Sequence, residues 1–139
     1  MQKVVIDTNV LVSALIQRNY PYLVVNHFIK EGKFQLCTSE DLFLEYYEVL
    51  NRKKFSKYPD FVNKAETLLT YIATKSTMYT PKKRLQIMGD VDDNKFLELS
   101  AECRAGFLIT GNTNDFTMQY YKRTQIVTPK EYWEKYCPR

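Results

Sequence analysis

Apolar positions along the chain follow two alternating rhythms. Lys3 to Ile6 is a short β-branched run ending at Asp7, and Val10, Leu11, Ala14 and Leu15 follow at helical spacing, so the chain opens as strand, turn and helix. A second helix is expected from near Pro21, which suits a first helical turn. It carries Leu23, Val24, His27 and Phe28 on one face, and Gly32 stops it. Phe34 to Thr38 reads as a second strand. Ser39, followed by Glu40 and Asp41, is a favourable helix start, because the hydroxyl accepts from an orphan amide and acids suit the positive end of the helix dipole. That helix is expected to run to about Asn51.

Arg52, Lys53, Lys54 and Lys57 lead to Pro59 and Asp60, after which Phe61, Ala65, Leu68, Leu69 and Ile72 predict a further helix. Thr77 to Thr80 reads as a third strand and Thr80 to Met88 as a connecting loop. Asp93 to Ala105 carries Phe96, Leu97, Ser100 and Ala101 as a helix stopped by Gly106. Phe107 to Thr110 and Gln125 to Val127 complete five strands. Thr128-Pro129-Lys130-Glu131 has the form of a capping box with Pro at the first helical position. Short apolar strands alternating with helices imply an α/β fold with a mainly parallel sheet covered on both faces. Ligands in such sheets bind beyond the carboxyl ends of the strands, where the strand order reverses.

Composition narrows this picture. A chain of 139 residues, 45% hydrophobic with 4 Gly and 5 Pro, suits a single globular domain over residues 1–139 and not a linker-rich one. Its 20 basic and 16 acidic side chains give +4, a mild bias toward anionic partners. The amino terminus lacks the apolar stretch of a signal peptide, and no segment approaches the roughly 20 apolar residues of a membrane span, so the expected location is the cytoplasm. Cys37, Cys103 and Cys137 are odd in number and far apart, which argues for reduced, buried thiols. With His27 as the sole histidine, the usual zinc-hydrolase ligand sets are lacking. Any metal must be held by oxygen.

Four groups of oxygen-bearing side chains stand near expected strand or helix ends. Asp7 closes what should be a central buried strand, where a carboxylate is costly unless a cation or hydrogen-bond donors meet it. Glu45 sits at the edge of the apolar arc formed by Leu42, Tyr46, Val49 and Leu50, where a boundary Glu with a snorkelling head is the plain alternative. Asp90-Val91-Asp92-Asp93-Asn94 places three acids in four positions, more than one helix cap requires. Thr110-Gly111-Asn112-Thr113-Asn114-Asp115 is either an ordinary polar turn or a ligand-bearing one. A hard-oxygen cluster of this kind suits Mg²⁺ or Mn²⁺.

The segments VVIDTNVLVSAL at 4–15, SEDLFLEYYEVLNRKKF at 39–55, DVDDNKFLELSAEC at 90–103 and ITGNTNDF at 109–116, with IVTPKEYW near the end, resemble a PIN domain. The likeness is in particular to the VapC-like toxins of that superfamily, and the segments cover essentially the whole chain in the family's order. The resemblance implies a three-layer α/β/α fold with a five-stranded parallel sheet and a metal-dependent endoribonuclease activity. By position, Asp7, Glu45 and Asp93 match three of the family's acids. The fourth is either Asn112, which stands where many relatives have Asp, or Asp115 in an Asn-x-x-Asp arrangement. Asn9 and Thr110 match polar positions that orient the first carboxylate, and Asn112 is a further supporting polar residue. Gly89 and Val91 replace the Arg and Pro frequent in the family, which leaves Asp90 a structural role.

The resulting expectation is hydrolysis of single-stranded RNA, with Asp7, Glu45, Asp93 and Asp115 holding one or two divalent ions directly or through water. Basic residues at 52–57 and 82–84, and some of the 11 tyrosines, are candidate RNA contacts. By analogy with VapC-like proteins, a small antitoxin docking over the acidic crevice is an expected partner, and a homodimer is one option for assembly. A binding or regulatory domain on the same fold is the competing reading. An aspartyl-phosphate phosphatase is disfavoured, because it would need a second Asp where Asn9 stands.

Overall fold

The computed structural model describes residues 1–82, 91–111 and 119–139, without the side chains of 91–93. The strands are β1 (Gln2–Ile6), β2 (Phe34–Ser39), β3 (Thr77–Tyr79), β4 (Phe107–Ile109), β5 (Tyr120–Tyr121) and β6 (Thr124–Val127). The main helices are α1 (Thr8–Ile16), α2 (Tyr20–Glu31), α3 (Glu40–Leu50), α4 (Phe61–Lys75) and α5 (Val91–Cys103). A short α6 (Pro129–Glu131) runs on into a π-helical turn over Tyr132–Tyr136.

The strands form one sheet in the order β3-β2-β1-β4-β6-β5. All neighbours pair in parallel except β5 and β6, which are antiparallel. The chain moves outward from β1 through β2 to β3, then returns to place β4 on the other side of β1. The order therefore reverses between β1 and β4, and the carboxyl ends of those two strands bound the crevice. Val4, Val5 and Ile6 are consecutive and all buried, which requires cover on both faces of β1. One cover is α5, which packs along β1, β2, β3 and β4; the other helices pack among themselves, with α2 and α3 also against β2. This is the three-layer α/β/α arrangement.

The capping signals in the sequence take their expected form. Ser39 accepts from the Leu42 amide at 3.1 Å, and Gly32 ends α2 in the left-handed region at φ 60°. Thr128 and Glu131 make both bonds of the capping box, at 3.1 Å each. Three details differ from expectation. The sheet has six strands rather than five, because Lys122 at φ 52° turns the chain so that Tyr120 and Tyr121 pair back on β6. Helix α5 begins at Val91, two residues before Asp93. It ends at Cys103 and not at Ala105, because Arg104 enters the left-handed region at φ 56°. The amides of Arg104 and Ala105 reach back to Ala101 and Ser100, forming a Schellman closure, so Gly106 is free to begin the next strand by donating to the Lys3 carbonyl.

Cys37, Cys103 and Cys137 are free thiols and all buried. His27 is engaged away from the crevice, with Nε2 2.7 Å from the Pro138 carbonyl and its ring edge-on to Trp133. Among the described residues, no helix is long and apolar enough to cross a membrane.

Candidate functional site

Asp7 directly follows β1 because the ladder to β4 continues one residue past the strand, with its amide donating to the Ile109 carbonyl at 2.9 Å. The same residue caps α1, accepting from the Asn9 amide at 3.2 Å on Oδ1. Its other oxygen, Oδ2, accepts from the Thr110 hydroxyl at 2.7 Å. Thr110 follows β4, so this bond crosses the point where the strand order reverses. A carboxylate buried to 5% exposure is thus oriented by donors from two strand ends.

Glu45 enters the same crevice from the middle of α3. Its Oε2 accepts from the Thr8 hydroxyl, and its Oε1 lies 3.2 Å from the Lys95 ammonium on α5. Thr8 is the neighbour of Asp7 in sequence, so Glu45 is anchored on the residue that directly follows Asp7. One residue further along α3, the fully buried Tyr46 donates its hydroxyl to the carbonyl of Ile6, the last residue of β1. That bond fixes α3 against the strand end carrying Asp7.

Burial pushes the Tyr46 phenol well above its ordinary range, and the nearby charges of Asp7, Glu45 and Cys37 push in the same direction. Tyr132, also buried, is raised mainly by burial. A phenol raised on folding keeps its proton longer in the native state than in the unfolded chain. Its contribution to stability is complete below the unfolded value near 10 and declines as pH rises beyond it. Urea midpoints are therefore expected to fall above about pH 10, where free tyrosine ionises, and to fall less steeply in Tyr46→Phe.

The other expected site residues are placed as follows. Asn9 is exposed, and it is its main-chain amide that reaches Asp7. Asp93 stands in the first turn of α5, with its side chain outside the described residues. Asp90, Asn112 and Asp115, and the basic positions 83 and 84, also lie outside them. Among the described residues, no group of three or more His, Cys, Asp or Glu gathers at metal-holding distance. Asp7 and Glu45 are the described carboxylates that could hold a metal, and oxygen donors of this kind would fit a hard divalent cation.

The sequence pattern does not mark Thr8, Lys95 or Glu98 as site residues. Helix α5 is buried almost all round, from Asn94 through Ser100 apart from a half-buried Lys95, so its apolar residues define no single face. The available signal is the converse one: charged residues within a helix that has no solvent side require partners. Glu98 and Lys95 line a cleft of about 130 Å³ with Ser39, Asp41, Tyr79 and Thr80, opening at the ends of β2 and β3.

A PIN domain model matches residues 3–114. The chain belongs to the PIN domain family. An uncharacterized protein of Methanocaldococcus jannaschii is 32% identical over 142 aligned residues, covering 96% of this chain and 91% of that protein. The span matched to the PIN domain includes Asp7, Glu45, Asp93, Thr110 and Asn112 and ends one residue before Asp115. PIN domains are generally metal-dependent nucleases, and membership of the family places the chain in that nuclease superfamily.

Proposed function

We propose that this PIN domain is an endoribonuclease that hydrolyses phosphodiester bonds of single-stranded RNA with Mg²⁺ or Mn²⁺, as the toxin of a toxin–antitoxin pair. The observation that carries the reading is that Asp7, held by the Thr110 hydroxyl at the β1–β4 reversal, and Glu45, held by the hydroxyl of Thr8, the residue next to Asp7, are anchored at neighbouring positions of the chain. Asp93 and Asp115 complete the donor set in this reading. Asp93 stands in the first turn of α5, and Asp115 follows β4 in the sequence.

A divalent ion, when bound, supplies positive charge to a phosphate oxygen and a water of lowered pKa as nucleophile. The protein's own work is orientation. Thr110 and the Asn9 amide hold the Asp7 carboxylate at a fixed angle, which avoids reorganisation when charge develops on the phosphate. Glu45 is held by Thr8 and Lys95, and its place on α3 connects the crevice to a basic surface. Arg52, two residues past the end of α3, is held charged chiefly by its hydrogen bonds to Glu48, and the Glu45 carboxylate adds to that. Lys53, Lys54 and Lys57 follow at once, in and after a 3₁₀ turn over Lys53–Phe55. A run of cations leading from the acids suits a polyanionic strand, which needs attraction along its backbone and a divalent ion only at the scissile bond. A small antitoxin protein covering the crevice is the partner implied by the same reading.

The test is cleavage of a labelled single-stranded RNA by purified protein. Activity is expected with Mn²⁺, loss with excess EDTA, and recovery on adding Mn²⁺ back. Cleavage indifferent to EDTA would contradict the metal reading, and RNA binding without cleavage would favour the regulatory one.

A further inference from the structure

We propose that Lys95 is a displaceable counter-cation, which pairs with Glu45 while the crevice holds no divalent ion and releases that carboxylate when one binds. The inference rests on the reading of the crevice as a divalent-ion site, and it adds a residue that positions Glu45 without touching RNA. Three observations carry it.

First, Lys95 and Thr8 occupy the two oxygens of Glu45 from opposite partners, so the carboxylate is already aimed and neutralised. Glu45 is 17% exposed and Lys95 27%, which places the pair between surface and interior. There, loss of the partner charge is felt, while the ammonium can still reach water. Second, the partner is a lysine. Its ammonium is a compact point charge on a flexible stem with rotatable donors, able to leave a carboxylate by changing rotamers, unlike a bidentate guanidinium.

Third, a destination exists. The adjoining cleft of about 130 Å³ is lined by Lys95 itself together with Asp41 and Glu98. Glu98 lies three residues along the same helix, the spacing at which side chains on one face meet. An ammonium leaving Glu45 therefore has space beside it whose lining includes two further acidic residues. A divalent ion arriving beside Glu45 repels a fixed ammonium there, and this cleft relieves the repulsion.

Binding of Mn²⁺ measured by titration calorimetry tests the exchange, alongside thermal melts of the ion-free proteins. Lys95→Met removes the competing charge, so Mn²⁺ is expected to bind on the order of tenfold more tightly than to wild type. The ion-free variant is expected to melt about 2–6 °C lower, because Glu45 has lost its charged partner and keeps the Thr8 hydroxyl. Lys95→Arg should restore the ion-free melting temperature and leave Mn²⁺ affinity at or below that of wild type. A purely structural lysine would lower the melting temperature of Lys95→Met without changing Mn²⁺ affinity, and that result overturns the proposal. Weaker binding in Lys95→Met also overturns it. Absence of Mn²⁺ binding to wild type removes the metal reading of the crevice, and the exchange with it. If Lys95→Met fails to fold, Lys95→Gln, which retains a neutral N–H donor for Glu45, carries the same comparison.

Discussion

Asp7→Asn is expected to lower Mn²⁺-dependent RNA cleavage by about 10²–10⁴-fold, as suits a change worth several kcal/mol of charge stabilisation at the reacting phosphate. The fold should survive. The amide keeps one oxygen to accept from the Asn9 amide, and the Thr110 hydroxyl can rotate to accept from the new NH₂ where it had donated to Oδ2. Geometry at the β1–β4 reversal is thus conserved and only the charge is lost. The comparison needs two measurements on each protein, initial cleavage rate in Mn²⁺ and thermal unfolding by circular dichroism. A native-like melt with activity near background supports the assignment. Equal cleavage by both proteins would mean that Asp7 takes no part, and that the RNA loss has another source.

Tyr46→Ala is expected to be the most destabilising single change near the site, at about 3–5 kcal/mol, the range for deleting a large buried aromatic ring. Against a total stability of about 5–15 kcal/mol, that leaves much of the protein unfolded or easily unfolded. Two effects combine in this figure. The ring is fully buried, so its removal leaves a cavity between α3 and the sheet. Its hydroxyl donates to Ile6, so its removal also frees the end of β1 just before Asp7. Tyr46→Phe separates these effects by keeping the ring; it is expected to cost about 0.5–1.5 kcal/mol, the net worth of one such bond. Cleavage by Tyr46→Phe should fall more than its modest loss of stability implies, since Glu45 and Asp7 are then less firmly related. Urea unfolding of the three proteins checks the order. A loss below about 1 kcal/mol for Tyr46→Ala would show that this helix is held by other contacts.

Much of this arrangement is legible in the sequence, for reasons that differ between residues. Asp7 stands out because a β-branched run ends on it, and a central strand leaves no room for an uncompensated carboxylate. Glu45 is half legible. The helical spacing of Leu42, Tyr46, Val49 and Leu50 places it at the edge of the buried arc, but that pattern alone does not separate an aimed carboxylate from a snorkelling one. The Thr8 hydroxyl decides between them, and a bond between residues 37 positions apart leaves no trace in local periodicity.

Lys95 and Glu98 are hidden for a different reason. Wheel arguments assume a wet side, and α5 packs along four strands with little of its length exposed. The end of that helix shows local chemistry overridden by context. Gly106 is the stronger stop signal, yet Arg104 takes the left-handed position, because residue 106 is needed two positions later to start pairing with Lys3. The additional strand, β5, is two residues long and too short for any alternation to announce it.

In the proposed function the carboxylates of Asp7, directly after β1, and Glu45, on α3, hold a shared divalent ion. That sharing is tested most directly by anomalous diffraction from a crystal of the wild-type protein soaked in Mn²⁺. A manganese peak is expected in contact with both Asp7 and Glu45, absent from Asp7→Asn crystals treated alike. No peak at these carboxylates, or one that persists unchanged in Asp7→Asn, would contradict it.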